Sequence, residues 1–123
     1  MNWRGISSSL LFALFGLTAC GPSLLDRQIE IDKTVPGDCT RADALVEEYA
    51  RAGALPSEVR SVRAHVNVLC ASEAYTHGNL DQAEARAKRA ISDEPGNTLA
   101  QDILKRVEDH RSSGLSPHGS PSP

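Results

Sequence analysis

Apolar residues run along this chain in two rhythms. From Leu10 to Leu17 they are almost continuous (Leu10-Leu11-Phe12-Ala13-Leu14-Phe15-Gly16-Leu17), with no charge among them. From residue 40 onward they return every three or four positions, the spacing of one face of a helix. That second rhythm predicts four helices. The first spans about 40–52: Thr40 with Asp43 three residues on reads as a capping box, Leu45, Tyr49 and Ala52 share a face, and Gly53 supplies the stop. The second spans about 57–77. Pro56 and Ser57 open it, Val59, Val62, Val66, Leu69 and then Glu73 step along it, and Gly78 ends it. The third, about 80–93, is capped by Asn79 with Gln82, buries Leu80, Ala83, Ala87, Ala90 and Ile91, and stops at Pro95-Gly96. The fourth, about 98–111, starts with Thr98 and Gln101 as a capping box and carries Leu99, Ala100, Ile103, Leu104 and Val107.

The flanks lack that rhythm. Residues 20–39 hold Gly21, Pro22, Pro36 and Gly37 among mixed charges and read as a tether, with Leu24, Leu25, Ile29 and Ile31 able to pack on the domain or to extend as a short strand. Residues 112–123 are rich in Ser, Gly and Pro and read as a disordered tail. The folded domain is therefore expected over 40–111, and its class is all-α.

The apolar run near the start follows Met1-Asn2-Trp3-Arg4 and ends Leu17-Thr18-Ala19-Cys20. A charged start, an apolar run of about 7–15 residues and a small-residue end describe a secretory signal, and the run is shorter than the roughly 20 residues of a membrane span. A buried N-terminal helix is the other reading of the same pattern. Leu17-Thr18-Ala19-Cys20 resembles the lipobox of bacterial lipoproteins. The resemblance implies that residues 1–19 are a cleaved signal peptide and that Cys20 becomes the lipidated first residue, its thiol joined to diacylglycerol and its amino group acylated, as with palmitate. Two or more chains anchor a protein stably where one does not. Gly21 after the cysteine, where such proteins carry Asp to stay in the inner membrane of a diderm envelope, implies the periplasmic face of the outer membrane.

Within the helical part, Ala71, Ala74, Gly78, Leu80, Ala83, Ala90 and Pro95 have a spacing that resembles a tetratricopeptide repeat over residues 64–97. Small residues let the two helices approach, Gly78 permits the turn, and Pro95 redirects the chain. The pattern is not complete. Asn67 stands where the family has a large residue, Ala87 where it has an aromatic, Tyr75 sits one place off register, and residues 40–63 do not fit a preceding repeat. The expected architecture is a small right-handed repeat-like array or a plain four-helix bundle. By the resemblance, the inner face would present His65, Ser72, Tyr75 and Thr76, with Asp102 and Arg106 from the last helix, to a protein or peptide. Tyr75 packing on the tether is the competing reading.

Other chemistry adds little. His65 and His77 lie twelve positions apart on one helix, too far to share an ion, so no metal site and no cofactor is expected. No phosphate loop or nucleophile–base motif occurs, and the reading is non-enzymatic. With 13 basic and 16 acidic residues, and Arg4 lost on processing, there is no basic stripe for nucleic acid. Cys39 and Cys70 remain after Cys20, an even number in an exported chain; they form a disulfide or stay as two buried thiols. Two functions follow. One is an anchored adaptor for another envelope protein, resembling pilotins in general build; the other is a structural or ligand-holding periplasmic lipoprotein.

Overall fold

A computed structural model describes residues 21–114, and these are all-helical. Five helices follow one another: α1 Leu24–Thr34, α2 Cys39–Arg51, α3 Pro56–Thr76, α4 Leu80–Asp93 and α5 Thr98–Ser113. The lipobox and Cys20 lie outside the described residues, as does the tail beyond Gly114.

The first helix corrects the tether. Ser23 caps it: its hydroxyl accepts from the Asp26 amide at 3.2 Å, and Asp26 accepts from the Ser23 amide at 3.2 Å. Ile31 and Val35 then enter the core and are almost fully buried. Pro22 and Pro36 bracket this helix rather than preventing one, because neither falls in its interior. The last helix likewise claims residues 112 and 113 from the expected tail, and ends on Gly114 in the left-handed region.

Two of the caps also move. α2 is capped by Asp38, which accepts from the Arg41 amide at 2.9 Å, and not by Thr40 with Asp43. Asp43 is drawn instead to Arg86 on α4. α5 is capped by Asn97, accepting from the Ala100 amide at 3.0 Å, one residue before Thr98. Gln101 reaches back to the Pro95 carbonyl. Asn79 caps α4 as its sequence indicates, accepting from the Gln82 amide. Gly53 and Gly78 take positive φ at the two turns expected of them.

Each helix packs on the next, and α3 also touches α1 and α5. The odd helices α1, α3 and α5 thus form one layer. α2 and α4 cover it on the other side and meet each other through side chains, with Asp43 bonded to Arg86. The core is in two parts. Ile31, Val35, Leu45, Val46, Tyr49, Val59, Val62, Val66 and Cys70 fill the space among α1, α2 and α3. Val68, Ala71, Ala74, Ala83, Ala87, Ala90, Ala100, Ile103 and Val107 fill that among α3, α4 and α5. The second cluster is mostly alanine, which brings α3 and α4 to close range along their most extensive contact.

The stripe on α3 is not the expected one. It runs Val59, Val62, Val66 and Cys70, and Leu69 is left 36% exposed. A second stripe, Val68, Ala71 and Ala74, belongs to the other cluster, and Ala64 is also buried. Leu99 is 49% exposed and Ala52 is exposed, so both leave the core faces assigned to them. Asn67, buried where a large apolar residue was the family norm, donates to the Arg63 carbonyl at 3.0 Å and accepts from Arg86 at 3.1 Å.

Ala87 and Ala85 make a clean comparison on α4, since the first is fully buried and the second exposed. Ala87→Leu should cost about 1–3 kcal/mol by overpacking the α3–α4 contact, whereas Ala85→Leu should stay within about 0.5 kcal/mol of the parent. Urea unfolding of both variants measures the difference.

Candidate protein-binding face

Of the six residues expected to form an inner face, His65, Ser72 and Thr76 share one strip of α3, Asp102 and Arg106 are exposed on α5, and Tyr75 packs against α5. Ser72 and Thr76 do share a surface on α3. Thr76 donates to the Ser72 carbonyl at 3.0 Å, and both line an open groove of about 330 Å³ with Leu69, Val35 and Pro36. The groove exists because α1 ends beside α3, and its Val35-Pro36 turn forms the opposite wall. His65 lies one turn before Leu69 on α3, exposed, with Nε2 4.0 Å from Asp32 of α1. It contributes to the α1–α3 boundary.

Tyr75 is not a free anchor. It packs against the second core cluster, and its ring meets His110 of α5 at 5.3 Å between centroids with a tilt of 59°. The contact seen for its ring is with α5. Asp102 and Arg106 pair with each other across one turn of α5, Arg106 Nε donating at 2.8 Å. Both are exposed, and a pair of this kind is worth a few tenths of a kcal/mol. Glu84 and Lys88 form another such i,i+4 pair on α4.

The face carries apolar residues that the spacing argument assigned elsewhere or passed over. Among the described residues, the exposed large hydrophobics are Leu25 and Ile29 on α1, Leu55 at the α3 cap, Leu69 on α3 and Leu99 on α5. Four lie on the odd helices, and Leu55 is the N-cap of α3. The outer surfaces of α2 and α4 show none; their exposed positions are charged, polar or alanine. One signal for this was legible: Leu25 and Ile29 are spaced i,i+4, on a different side of α1 from Ile31 and Val35.

Ion pairs hold the face to its backing. Arg86 is only 7% exposed and donates twice to Asp43, at 2.6 and 2.8 Å. Arg63 and Asp93 form a second fork at 2.7 and 2.8 Å. That bond, more than charge alone, raises the Arg63 guanidinium further above its ordinary value. Arg111 of α5 bonds Glu84 and Asp81 of α4. The Lys88 bond first, then Arg111, holds the Glu84 carboxyl below the usual range, so this clamp persists at neutral pH and weakens only as pH falls through that lowered value.

Cys39 and Cys70 are joined, with Cα atoms 6.0 Å apart and a sequence separation of 31. The bond ties the first residue of α2 to the middle of α3. In the chain-entropy account, closing such a loop stabilises by about 3–4 kcal/mol.

No group of His, Cys, Asp and Glu suited to a metal ion occurs among the described residues, and none of their helices is long and apolar enough to cross a membrane. No protein family, curated protein or solved structure matches the chain.

Tyr75 and Arg106 now separate. Tyr75→Ala should lower stability by about 3 kcal/mol, because it removes an aromatic from the α3–α5 contact. Arg106→Ala should change it by no more than about 0.5 kcal/mol. Thermal and denaturant melts of the two variants check both values.

Proposed function

We propose that this chain is a membrane-anchored envelope lipoprotein whose helical domain is a protein-binding adaptor, in a role like that of pilotins in assembling an envelope complex. The observation that carries the adaptor reading is the one-sided placement of exposed large hydrophobics on α1, α3 and α5. In helical repeat arrays the layer of first helices is the one that meets a partner. Here that layer has Leu69 beside Ser72 and Thr76 in a groove open to an extended peptide or a helix. Leu99 and the charged pair Asp102–Arg106 lie on the neighbouring α5. A few apolar anchors within a polar rim are what carries most of the affinity in a protein interface.

The anchor reading rests on Leu17-Thr18-Ala19-Cys20 after its apolar run. With Gly21 after the cysteine, the same reading implies the periplasmic face of the outer membrane. The role assigned is binding, with no catalytic step and no cofactor.

Two experiments test the halves separately. Cys20→Ser should block processing or release the protein from the membrane fraction, as read by fractionation and intact mass. A mature chain with an unmodified Cys20 would disprove the anchor. For the adaptor, crosslinking in cells should trap one stoichiometric envelope protein, identified by mass spectrometry. Leu69→Glu and Leu99→Glu should each reduce its recovery at least about tenfold if these leucines are hot spots, since the loss of one is worth 2 kcal/mol or more. Their melting temperatures should be unchanged, because both side chains already meet water. Undiminished recovery in both variants would remove the odd-helix layer from the interface.

A further inference from the structure

Residues 20–39 cannot act as a spacer, and this has a consequence for where the domain sits. α1 begins at Leu24 under a formed capping box at Ser23, so three residues separate Cys20 from the first helical turn. Four Cα–Cα steps reach at most about 14 Å. A lipid on Cys20 would therefore hold the start of α1 at the headgroups of its bilayer.

The surface brought there can be named. α1 and α3 run in the same direction, since each is antiparallel to α2. Asp32 faces His65, and Val35 lies across the groove from Leu69. Asp32 is eight residues past the start of α1 and His65 nine past the start of α3, so the two helices begin at the same level. Leu24 of α1, with Ala50 and Ala54 from the end of α2 and its turn, closes the first core cluster at that end. Outside it stand Leu25 and Leu55, 66% and 60% exposed. They are the two most exposed large hydrophobics among the described residues. Around them are Pro22, Gly53 and Pro56. The acids nearest in sequence are occupied: Asp26 accepts from the Ser23 amide and hydroxyl, and Glu58 accepts from the Leu55 amide. The opposite end of the domain has the turns at Pro36–Asp38 and His77–Asn79 and the close of α5 at Ser113, with no exposed large hydrophobic.

We propose that this end of the domain is a bilayer-contacting surface, with Leu25 and Leu55 inserted at the acyl boundary beside the lipid on Cys20. The inference rests on the lipoprotein reading above. Its occupant is the lipid surface itself, selected by the short reach from Cys20 and by the pairing of the two leucines at the level where the chain would meet the membrane. α1, α3 and α5 then all point away from the bilayer, and the groove at Leu69 faces sideways, clear of the headgroups.

The mature chain offers a clean probe, because Trp3, its one tryptophan, precedes the cleavage point. Full-length processed protein carrying Leu25→Trp, Leu55→Trp or, as the distal control, Ser112→Trp is placed in vesicles of phosphatidylethanolamine and phosphatidylglycerol containing brominated phosphatidylcholine. Intact mass reports lipidation at Cys20, and far-UV circular dichroism reports the fold. The expected result is blue-shifted emission lost to bromine quenching for Leu25→Trp and Leu55→Trp, with Ser112→Trp unquenched. A lipidated, folded protein in which neither end-positioned indole is quenched overturns the seating and leaves the anchor standing. An unmodified Cys20 overturns both. Emission already blue-shifted without vesicles, and rising with protein concentration, would assign the leucines to a second copy and overturn the proposal.

Discussion

α3 has to satisfy two cores at once, and the remaining helices are placed by how it does so. One face of this 21-residue helix offers Val59, Val62, Val66 and Cys70 to α1 and α2. Another offers Val68, Ala71 and Ala74 to α4 and α5. A helix apolar on two sides cannot pair with a single neighbour and leave the rest in water. Burying one face with the pair α1–α2 and the other with α4–α5 resolves this, and it leaves one strip of α3 facing out between α1 and α5. That strip holds His65, Leu69, Ser72 and Thr76. The candidate groove is therefore what remains of the surface of α3 after both cores have been served.

Such a split core needs something to join its halves, because two clusters sharing one helix could otherwise open independently. Arg86 of α4 supplies the join by reaching Asp43 of α2 over the top of Asn67. Removing an Arg from water is costly, but Asp43 and Asn67 answer this guanidinium with three hydrogen bonds and Asp43 keeps contact with solvent. Asn67 has its own amide bonded to the Arg63 carbonyl, which fixes its oxygen toward Arg86. A large apolar residue at position 67 would fill the same space and lose this link. The disulfide adds a covalent restraint one turn before Asp43, at the first residue of α2, so that the α1–α2 pair is held to α3 by burial and by a bond, and to α4 by charge.

Much of this was legible from spacing alone. The later helices and their breaks follow from the three-and-four rhythm, and from Gly53, Gly78 and Pro95. Pairing of Cys39 with Cys70 was one of two readings left open by composition. What spacing did not give has physical causes. α1 is short and its three core positions, Leu24, Ile31 and Val35, are interleaved with the equally apolar Leu25 and Ile29, so no single stripe stands out. Its capping box, Ser23 with Asp26, was the available signal. On α3 the stripe passes through Cys70, a residue read first for its chemistry, and so Leu69 took its place in the pattern. Asp43 and Arg86 are ordinary surface residue types whose partnership, 43 positions apart, belongs to the tertiary fold. Tyr75 was placed on the binding face by repeat register, whereas α5 comes close enough to take it into the second cluster.

The same arrangement ties orientation to binding. An anchor on a long flexible linker would leave the domain free to tumble, and a partner at the membrane would have to pay that rotational freedom on docking. With α1 beginning three residues after Cys20, little of that freedom is left to lose. On the proposed lipid anchor, the parallel directions of α1, α3 and α5 would set which part of the odd-helix layer is near the bilayer and which is clear of it. Leu25 and Leu55 fall at the near end, whereas Leu69 lies some 13 residues along α3, about 20 Å from its start at the rise of a helix. One set of exposed leucines is within reach of lipid and the other is beyond it. On that reading Leu69 stays free for a protein partner while Leu25 and Leu55 meet lipid.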